Sequence, residues 1–137
     1  MNQVLQQKKG LVKKVFNKVF KKYDLMNDLM SLGIHRIWKK NLIQMMNPSN
    51  KKKIIDVACG TGDIAKLYLK ATDNNSTILC VDPNINMIKQ CRENLKKYKN
   101  IKWKVCSAEK LNAPSNSFDF YTISFGLRNA KDINKSL

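Results

Sequence analysis

Two glycines and an acidic residue give the strongest chemical signal in this chain. The stretch from Ile55 to Asp63, IDVACGTGD, leads from an apolar strand-like segment through a turn into a helical pattern. Gly60 and Gly62 allow the backbone to turn tightly and a ligand to approach where a side chain would collide. Amides at the start of the following helix suit an anionic group. The stretch therefore predicts a ligand-binding loop, with a purely structural glycine turn as the alternative.

The spacing of the loop indicates which ligand it binds. A dinucleotide-binding loop has a glycine three positions after its second glycine, where this chain has Ala65. Asp56, inside the strand, is also unfavourable beside a pyrophosphate. A zwitterionic amino-acid group explains both features, because its carboxylate can lie near the helix amides and its ammonium near an acidic group such as Asp56.

Two later positions complete this constellation. Asp82 ends a second strand-like run about 20 residues after the glycines, the distance at which a carboxylate accepts hydrogen bonds from ribose hydroxyls. Ser107 and Ala108 follow a third strand-like run. They are predicted at the same edge of the sheet, where a short polar side chain or a backbone amide can reach an adenine.

The elements that position these residues alternate in type along the chain. The spacing of apolar residues in 1–50 predicts a helical segment, with helices over 11–23, 24–30 and 34–46. Residues 51–137 predict a second, ligand-binding domain, with strands at 54–58, 77–81, 101–106 and 118–124 and helices over 64–70 and 85–97. Alternating strands and helices predict an α/β fold, a parallel sheet with helices on both faces.

The charge of the chain is strongly positive. Lys and Arg number 26 against 10 Asp and Glu, a formal net charge of +16. Such a surface attracts the phosphates of nucleic acid or of an anionic bilayer, although scattered lysines also form ordinary solvated surface. No apolar run is long enough to cross a bilayer, and the N-terminus lacks the apolar core of a signal peptide. A cytoplasmic location is expected.

The four cysteines give no motif. Cys59, Cys80, Cys91 and Cys106 contain no C-x-x-C pair and no His nearby in sequence. The sequence therefore predicts reduced thiols, with no metal site and no disulfide framework.

Three further segments narrow the assignment. The loop, the acidic end of strand two and the segment after strand three together resemble class I S-adenosylmethionine (SAM)-dependent methyltransferases. YDLMNDLMS at 23–31, GIHR at 33–36 with Trp38 and Lys39, and TISFGLRN at 122–129 resemble the signatures of the ubiquinone/menaquinone biosynthesis C-methyltransferase family. The resemblance implies a Rossmann-like fold of seven strands, here truncated after strand four, with residues 1–50 as a substrate-side cap.

The resemblance also implies site residues. SAM contacts are expected at the loop and at the three strand ends, at Gly60, Thr61, Asp82, Ser107, Ala108 and Ser124. The family usually has Asn or Asp where this chain has Ser107, and one hydroxyl offers fewer hydrogen bonds. Arg128 is the expected catalytic residue, stabilising developing phenolate charge. Asn129 and Tyr23 are weaker substrate-side candidates, and His35 is expected to serve packing or capping.

The implied reaction is methylation of a ring carbon of a reduced polyprenyl quinone precursor, either demethylmenaquinol or 2-methoxy-6-polyprenyl-1,4-benzoquinol. The expected partners are this quinol and an anionic membrane, touched peripherally at its inner face. A basic nucleic-acid methyltransferase or binding module is a less favoured alternative, because the aromatic residues lie mainly in apolar stripes. A truncated, inactive product is the third, in which the strand at 118–124 is an unprotected edge. The oligomeric state is left open.

Overall fold

The computed structural model describes residues 33–124 and 130–137. The chain divides into two compact units, Met1–Arg36 and Ile37–Leu137, and the second contains the whole sheet. The helices predicted over 11–23 and 24–30 lie outside the described residues. The domain boundary predicted after residue 50 stays a prediction.

The second unit is built on a parallel sheet of four strands in the order β3-β2-β1-β4. The strands are β1 (Lys53–Val57), β2 (Thr77–Asp82), β3 (Ile101–Val105) and β4 (Phe120–Ile123). The helices are α1 (Ile34–Met45), α2 (Asp63–Ala71), α3 (Ile85–Leu95), α4 (Ile133–Ser136) and a 3₁₀ turn, Ala108–Lys110. The predicted α/β fold is confirmed, and the elements that were predicted in the described residues begin and end within two residues of the expected positions.

The alternation of side chains along β1 separates two hydrophobic layers. Ile54 packs with Tyr68 and Leu69 of α2 and with Leu95 of α3, all of them buried. On the opposite face, Ile55 and Val57 form a smaller layer, covered by apolar residues from the segment 106–118 that contains the 3₁₀ turn. Asp56 has the parity of Ile54, so this acidic side chain lies on the face that carries α2 and α3.

Strand register brings the expected site residues to one edge. Val57 lies opposite Val81 on one side and opposite Ile123 on the other, and Asp82 lies opposite Val105. The carboxyl ends of all four strands therefore meet at the same edge of the sheet, where ligands bind in open α/β sheets.

Strand β4 begins two residues later than predicted, because the side chain of Asp119 takes the place of a backbone acceptor in the hydrogen-bond ladder. Its amide donates to the carbonyl of Lys53 at 2.7 Å, and its carboxylate accepts from the amide of Lys53 at 2.7 Å. Among the described strands, β4 pairs with β1 alone. Within the two described ranges no helix has the length and apolar character needed to cross a membrane.

Candidate functional site

The loop between β1 and α2 has left-handed backbone at alternate positions. Ala58 has φ +52°, Gly60 φ +56° and Gly62 φ +92°. The two glycines were predicted, whereas Ala58 was not, since an L residue with a Cβ disfavours this region by roughly 1–2 kcal/mol. Strained backbone of this kind is concentrated at functional sites.

The two glycines serve different purposes. A Cβ at Gly62 would lie 2.8 Å from the Sγ of Cys91 and 2.8 Å from the Cδ1 of Leu95. A Cβ at Gly60 would meet no atom of the described residues within 4 Å. Gly62 therefore allows the loop to pack onto α3, while Gly60 leaves open space in which a ligand can approach the backbone.

Hydrogen bonds fix the loop to β2. The amide of Cys59 donates to the carbonyl of Val81 at 3.0 Å, and the amide of Gly60 donates to Oδ2 of Asp82 at 3.1 Å. The first bond continues the strand pairing past the end of β1. The second places the Asp82 carboxylate directly beside the glycine loop.

A third anchor comes from α3. Asn94 donates through its side-chain amide to the carbonyl of Thr61 at 3.0 Å. This bond, with the packing of Gly62 on Cys91 and Leu95, holds the loop against α3. Sequence reasoning missed Asn94, because 33 residues separate it from Thr61 and nothing in the local pattern connects them.

Asp82 is nearly buried, with 7% of its surface exposed. Its Oδ1 accepts from the amide of Asn84 at 2.9 Å, and its Oδ2 accepts from Gly60. Burial raises the pKa of Asp82, and the two amides oppose that rise. A carboxylate has about four lone-pair sites, so each oxygen keeps one site for a hydroxyl donor of a ligand.

Asp56 lies deeper than the sequence suggested. Its side chain is buried, and the hydroxyl of Thr122 donates to Oδ1 at 2.9 Å. Oδ2 has no hydrogen-bond partner in the described part of the chain. Burial raises the pKa of Asp56 to about 7. An unpaired buried acceptor is costly, and it is the feature expected where a donor group completes a site.

The start of α2 favours an anion. Its N-cap residue, Gly62, offers no side-chain cap to the first-turn amides, which leaves them suited to an acceptor from a ligand. Asp63 stands in this first turn, and its carboxylate accepts from the Nζ of the buried Lys39 at 2.6 Å. This ion pair offsets the repulsion that Asp63 would otherwise exert on an incoming carboxylate.

The remaining expected residues lie at the ends of β3 and β4. Ser107 is the N-cap of the 3₁₀ turn and Ala108 is its first residue. Ser124 follows β4 directly and is partly buried. The carboxylate of Glu109 accepts from the amide of Lys131 at 2.6 Å, an anchor that sequence reasoning missed. Tyr23, Arg128 and Asn129 lie outside the described residues, so the catalytic role of Arg128 stays a prediction.

Comparison with known proteins gives the family of this chain. The model of the ubiE/COQ5 methyltransferase family matches residues 1–137. The chain belongs to the ubiE/COQ5 methyltransferase family. It is 52% identical over 136 residues to a protein of Rickettsia massiliae named ubiquinone/menaquinone biosynthesis C-methyltransferase UbiE. A protein of the same name from Rickettsia bellii is 50% identical over 137 residues.

The chain spans about half the length of these ubiE/COQ5 relatives. It aligns over 95% of its own length with 54% of the R. massiliae protein, and over 96% with 55% of the R. bellii protein. The family assignment thus covers the part of the relatives that aligns with residues 1–137.

Solved structures show the same fold. A putative S-adenosyl-L-methionine-dependent methyltransferase from Methanococcus maripaludis matches with a TM-score of 0.72 at 16% identity, covering 88% of this chain and 55% of that one. A SAM-dependent methyltransferase from Aquifex aeolicus matches with a TM-score of 0.64 at 18% identity, covering 72% and 53%. The ubiE/COQ5 chain thus has the Rossmann-like methyltransferase fold.

Proposed function

We propose that this chain forms the cofactor-binding part of a SAM-dependent C-methyltransferase acting on a reduced polyprenyl quinone precursor. One contact carries the proposal. The amide of Gly60 donates to Asp82, so a glycine loop with open space above it and a buried carboxylate form one rigid unit. Family membership, together with names of relatives that specify C-methylation, gives that unit its reaction class.

The residues at the carboxyl edge of the sheet match three parts of SAM, namely the ribose, the amino-acid group and the adenine. Asp82 would accept from the ribose hydroxyls through its remaining lone pairs. The amides of α2 would receive the amino-acid carboxylate, and Asp56, whose Oδ2 has no partner among the described residues, is the acidic group proposed for the ammonium. The adenine would lie beside Ser107 and Ala108. Gly60, Thr61 and Ser124 would complete the contacts from the loop and from the end of β4.

The transferred group defines what the protein must do. SAM supplies a methyl group activated by its sulfonium. The acceptor is an electron-rich ring carbon, which the quinol has and the quinone lacks. The protein therefore has to align acceptor carbon, methyl and sulfur and exclude water, which can provide much of the acceleration. In this proposal Arg128 stabilises the phenolate charge that develops on the quinol. The quinol is either demethylmenaquinol or 2-methoxy-6-polyprenyl-1,4-benzoquinol.

Two observations support peripheral contact with an anionic membrane at its inner, cytoplasmic face. The net charge is +16, which favours anionic lipid headgroups. Helix α1 exposes the apolar residues Ile37, Trp38 and Met45 and the basic residue Lys40. The sequence had placed Trp38 in an apolar stripe. Exposed apolar and basic residues on one helix are typical of interfacial segments. A polyprenyl substrate resides in the same bilayer.

The ribose contact is tested by Asp82→Ala. Removal of a charged acceptor of ligand hydroxyls should weaken SAM binding by about 2 kcal/mol, roughly 30-fold in Kd. Isothermal titration calorimetry measures this change. Asp73→Ala, at an exposed carboxylate on the turn after α2, is the matched control and should leave the affinity unchanged. Equal affinities for SAM in the native protein and the Asp82→Ala variant would contradict the assignment.

A further inference from the structure

Three cysteines that are far apart in sequence meet beneath the cofactor loop. The Sγ atoms of Cys59, Cys80 and Cys91 all lie within 4.8 Å of one another, and all three residues are buried. We propose that this trio is a binding site for one soft, thiophilic d¹⁰ metal ion. The sequence predicted no metal site because spacings of 21 and 11 residues match no known ligand motif.

The three sulfurs are held by separate rigid elements. Cys59 belongs to the loop, and its amide is bonded to Val81 of β2. Cys80 lies within β2, and Cys91 lies in α3, where it packs under Gly62. Ligands fixed by a loop, a strand and a helix are preorganised, so an ion need not order them on binding.

The ligand chemistry selects the class of ion. Thiolate sulfur is a soft donor that prefers Cu⁺, Zn²⁺ and similar ions. Structural zinc sites are almost always four-coordinate. Among the described residues no fourth Cys, His, Asp or Glu atom joins this group. Three sulfurs therefore suit a soft ion that accepts three ligands, and each thiol that binds releases one proton to solvent.

A nearby buried acceptor favours a cation over an empty thiol cluster. Asp56 is the strand partner of Cys80, and its Oδ2, which has no hydrogen-bond partner among the described residues, is buried on the same face of the sheet. A disulfide is the competing use of the cluster, but it would join only two of the three sulfurs. Mutual proximity of all three is what a single ion requires.

The fourth cysteine provides a matched control. Cys106 is more exposed than the trio and belongs to the hydrophobic layer on the opposite face of the sheet. Adventitious binding of a metal to surface thiols would therefore involve Cys106 first. Binding of a metal to the trio should instead be unaffected by replacement of Cys106.

The experiment titrates the reduced native chain with Cd²⁺ as a spectroscopic probe and follows the ultraviolet sulfur-to-metal charge-transfer band. Saturation at one equivalent is expected, with an unchanged band in Cys106→Ser. Binding should weaken by about tenfold or more, and the band should shrink, in each of the variants Cys59→Ser, Cys80→Ser and Cys91→Ser. Loss of a residue that only hydrogen-bonds to a metal ligand typically costs about 10–100-fold in affinity, and loss of a ligand itself should cost more.

A second measurement keeps the test valid if a buried serine prevents folding. Cd²⁺ should raise the Tm of the native chain and of Cys106→Ser, but not that of Cys80→Ala or Cys91→Ala, because an ion stabilises only a fold that binds it. Loss of the band in Cys106→Ser alone, or an equal band in all variants, would overturn the proposal. So would a reduced native chain that gives no band and forms a disulfide within the trio on exposure to air.

Discussion

Gly62→Ala is expected to lower the free energy of unfolding by about 3 kcal/mol, the sum of overpacking by about 1–3 kcal/mol and an unfavourable left-handed alanine of about 1–2 kcal/mol. The new Cβ would stand 2.8 Å from two atoms of α3, the Sγ of Cys91 and the Cδ1 of Leu95. Both contacts are with the ends of side chains, but Cys91 and Leu95 are fully buried, so their neighbours resist a shift of either one. Either these side chains or the loop would have to move.

Gly60→Ala is the matched comparison for this change. Its φ of +56° lies in the left-handed region, but a Cβ there would meet no atom within 4 Å in the described part of the chain. The expected loss of stability is only about 1 kcal/mol, whereas the methyl group would occupy the space where a ligand approaches the backbone. Urea unfolding and SAM calorimetry on both variants separate the two effects. Equal losses of stability would show that the packing of Gly62 on α3 is not what the loop requires.

Native stability should fall between about pH 4 and pH 7 because of Asp56. Burial raises the pKa of this carboxyl to about 7, from an unfolded value of about 3.9. Between these values the folded chain keeps a proton that the unfolded chain releases. The stabilising contribution is therefore complete below about pH 4 and lost as the pH rises through 7. About three pKa units correspond to roughly 4 kcal/mol as an upper bound.

Asp56→Asn removes this titration while keeping an oxygen that can accept from Thr122. The difference in unfolding free energy between the variant and the native chain should move in favour of the variant by up to about 4 kcal/mol between pH 4 and pH 8. Chemical denaturation at several pH values measures it. Asp73→Asn, at an exposed position, should show no such trend relative to the native chain. Parallel pH profiles for Asp56→Asn and the native chain would refute the protonated, buried state of Asp56.

The strands, and the edge of the sheet at which their site residues lie, could be predicted because the sequence signals for them are local. Short apolar runs ending in Asp82 or entering Gly60 fix both the element and its edge, since a parallel sheet brings all carboxyl ends together. The proximity of Asp82 to the loop was predicted from its distance in sequence after the glycines and from its place at a strand end, and the bond to Gly60 agrees with it. The small differences at strand ends arise from side chains such as Asp119 that substitute for the ladder.

The features that sequence reasoning missed depend on contacts between distant residues. The bond from Asn94 to Thr61 and the cysteine trio each join segments that no periodic pattern relates. Ala58 was missed for another reason, because its left-handed backbone opposes its own preference and is imposed by the surrounding loop. Asp56 was placed in the correct strand, but its buried hydrogen bond with Thr122 of β4 joins residues 66 positions apart.

The most direct test of the central claim is a heteronuclear NMR titration of the labelled protein with S-adenosylhomocysteine. If the loop and the strand ends bind the cofactor, the largest amide shifts will fall on 60–62, 82–84 and 107–108. The basic surface around Lys89, Arg92 and Lys96 of α3 and the turn after it should change little. Shifts concentrated on that surface, or no shifts at Gly60 and Asp82, would contradict the assignment of this edge as the cofactor site.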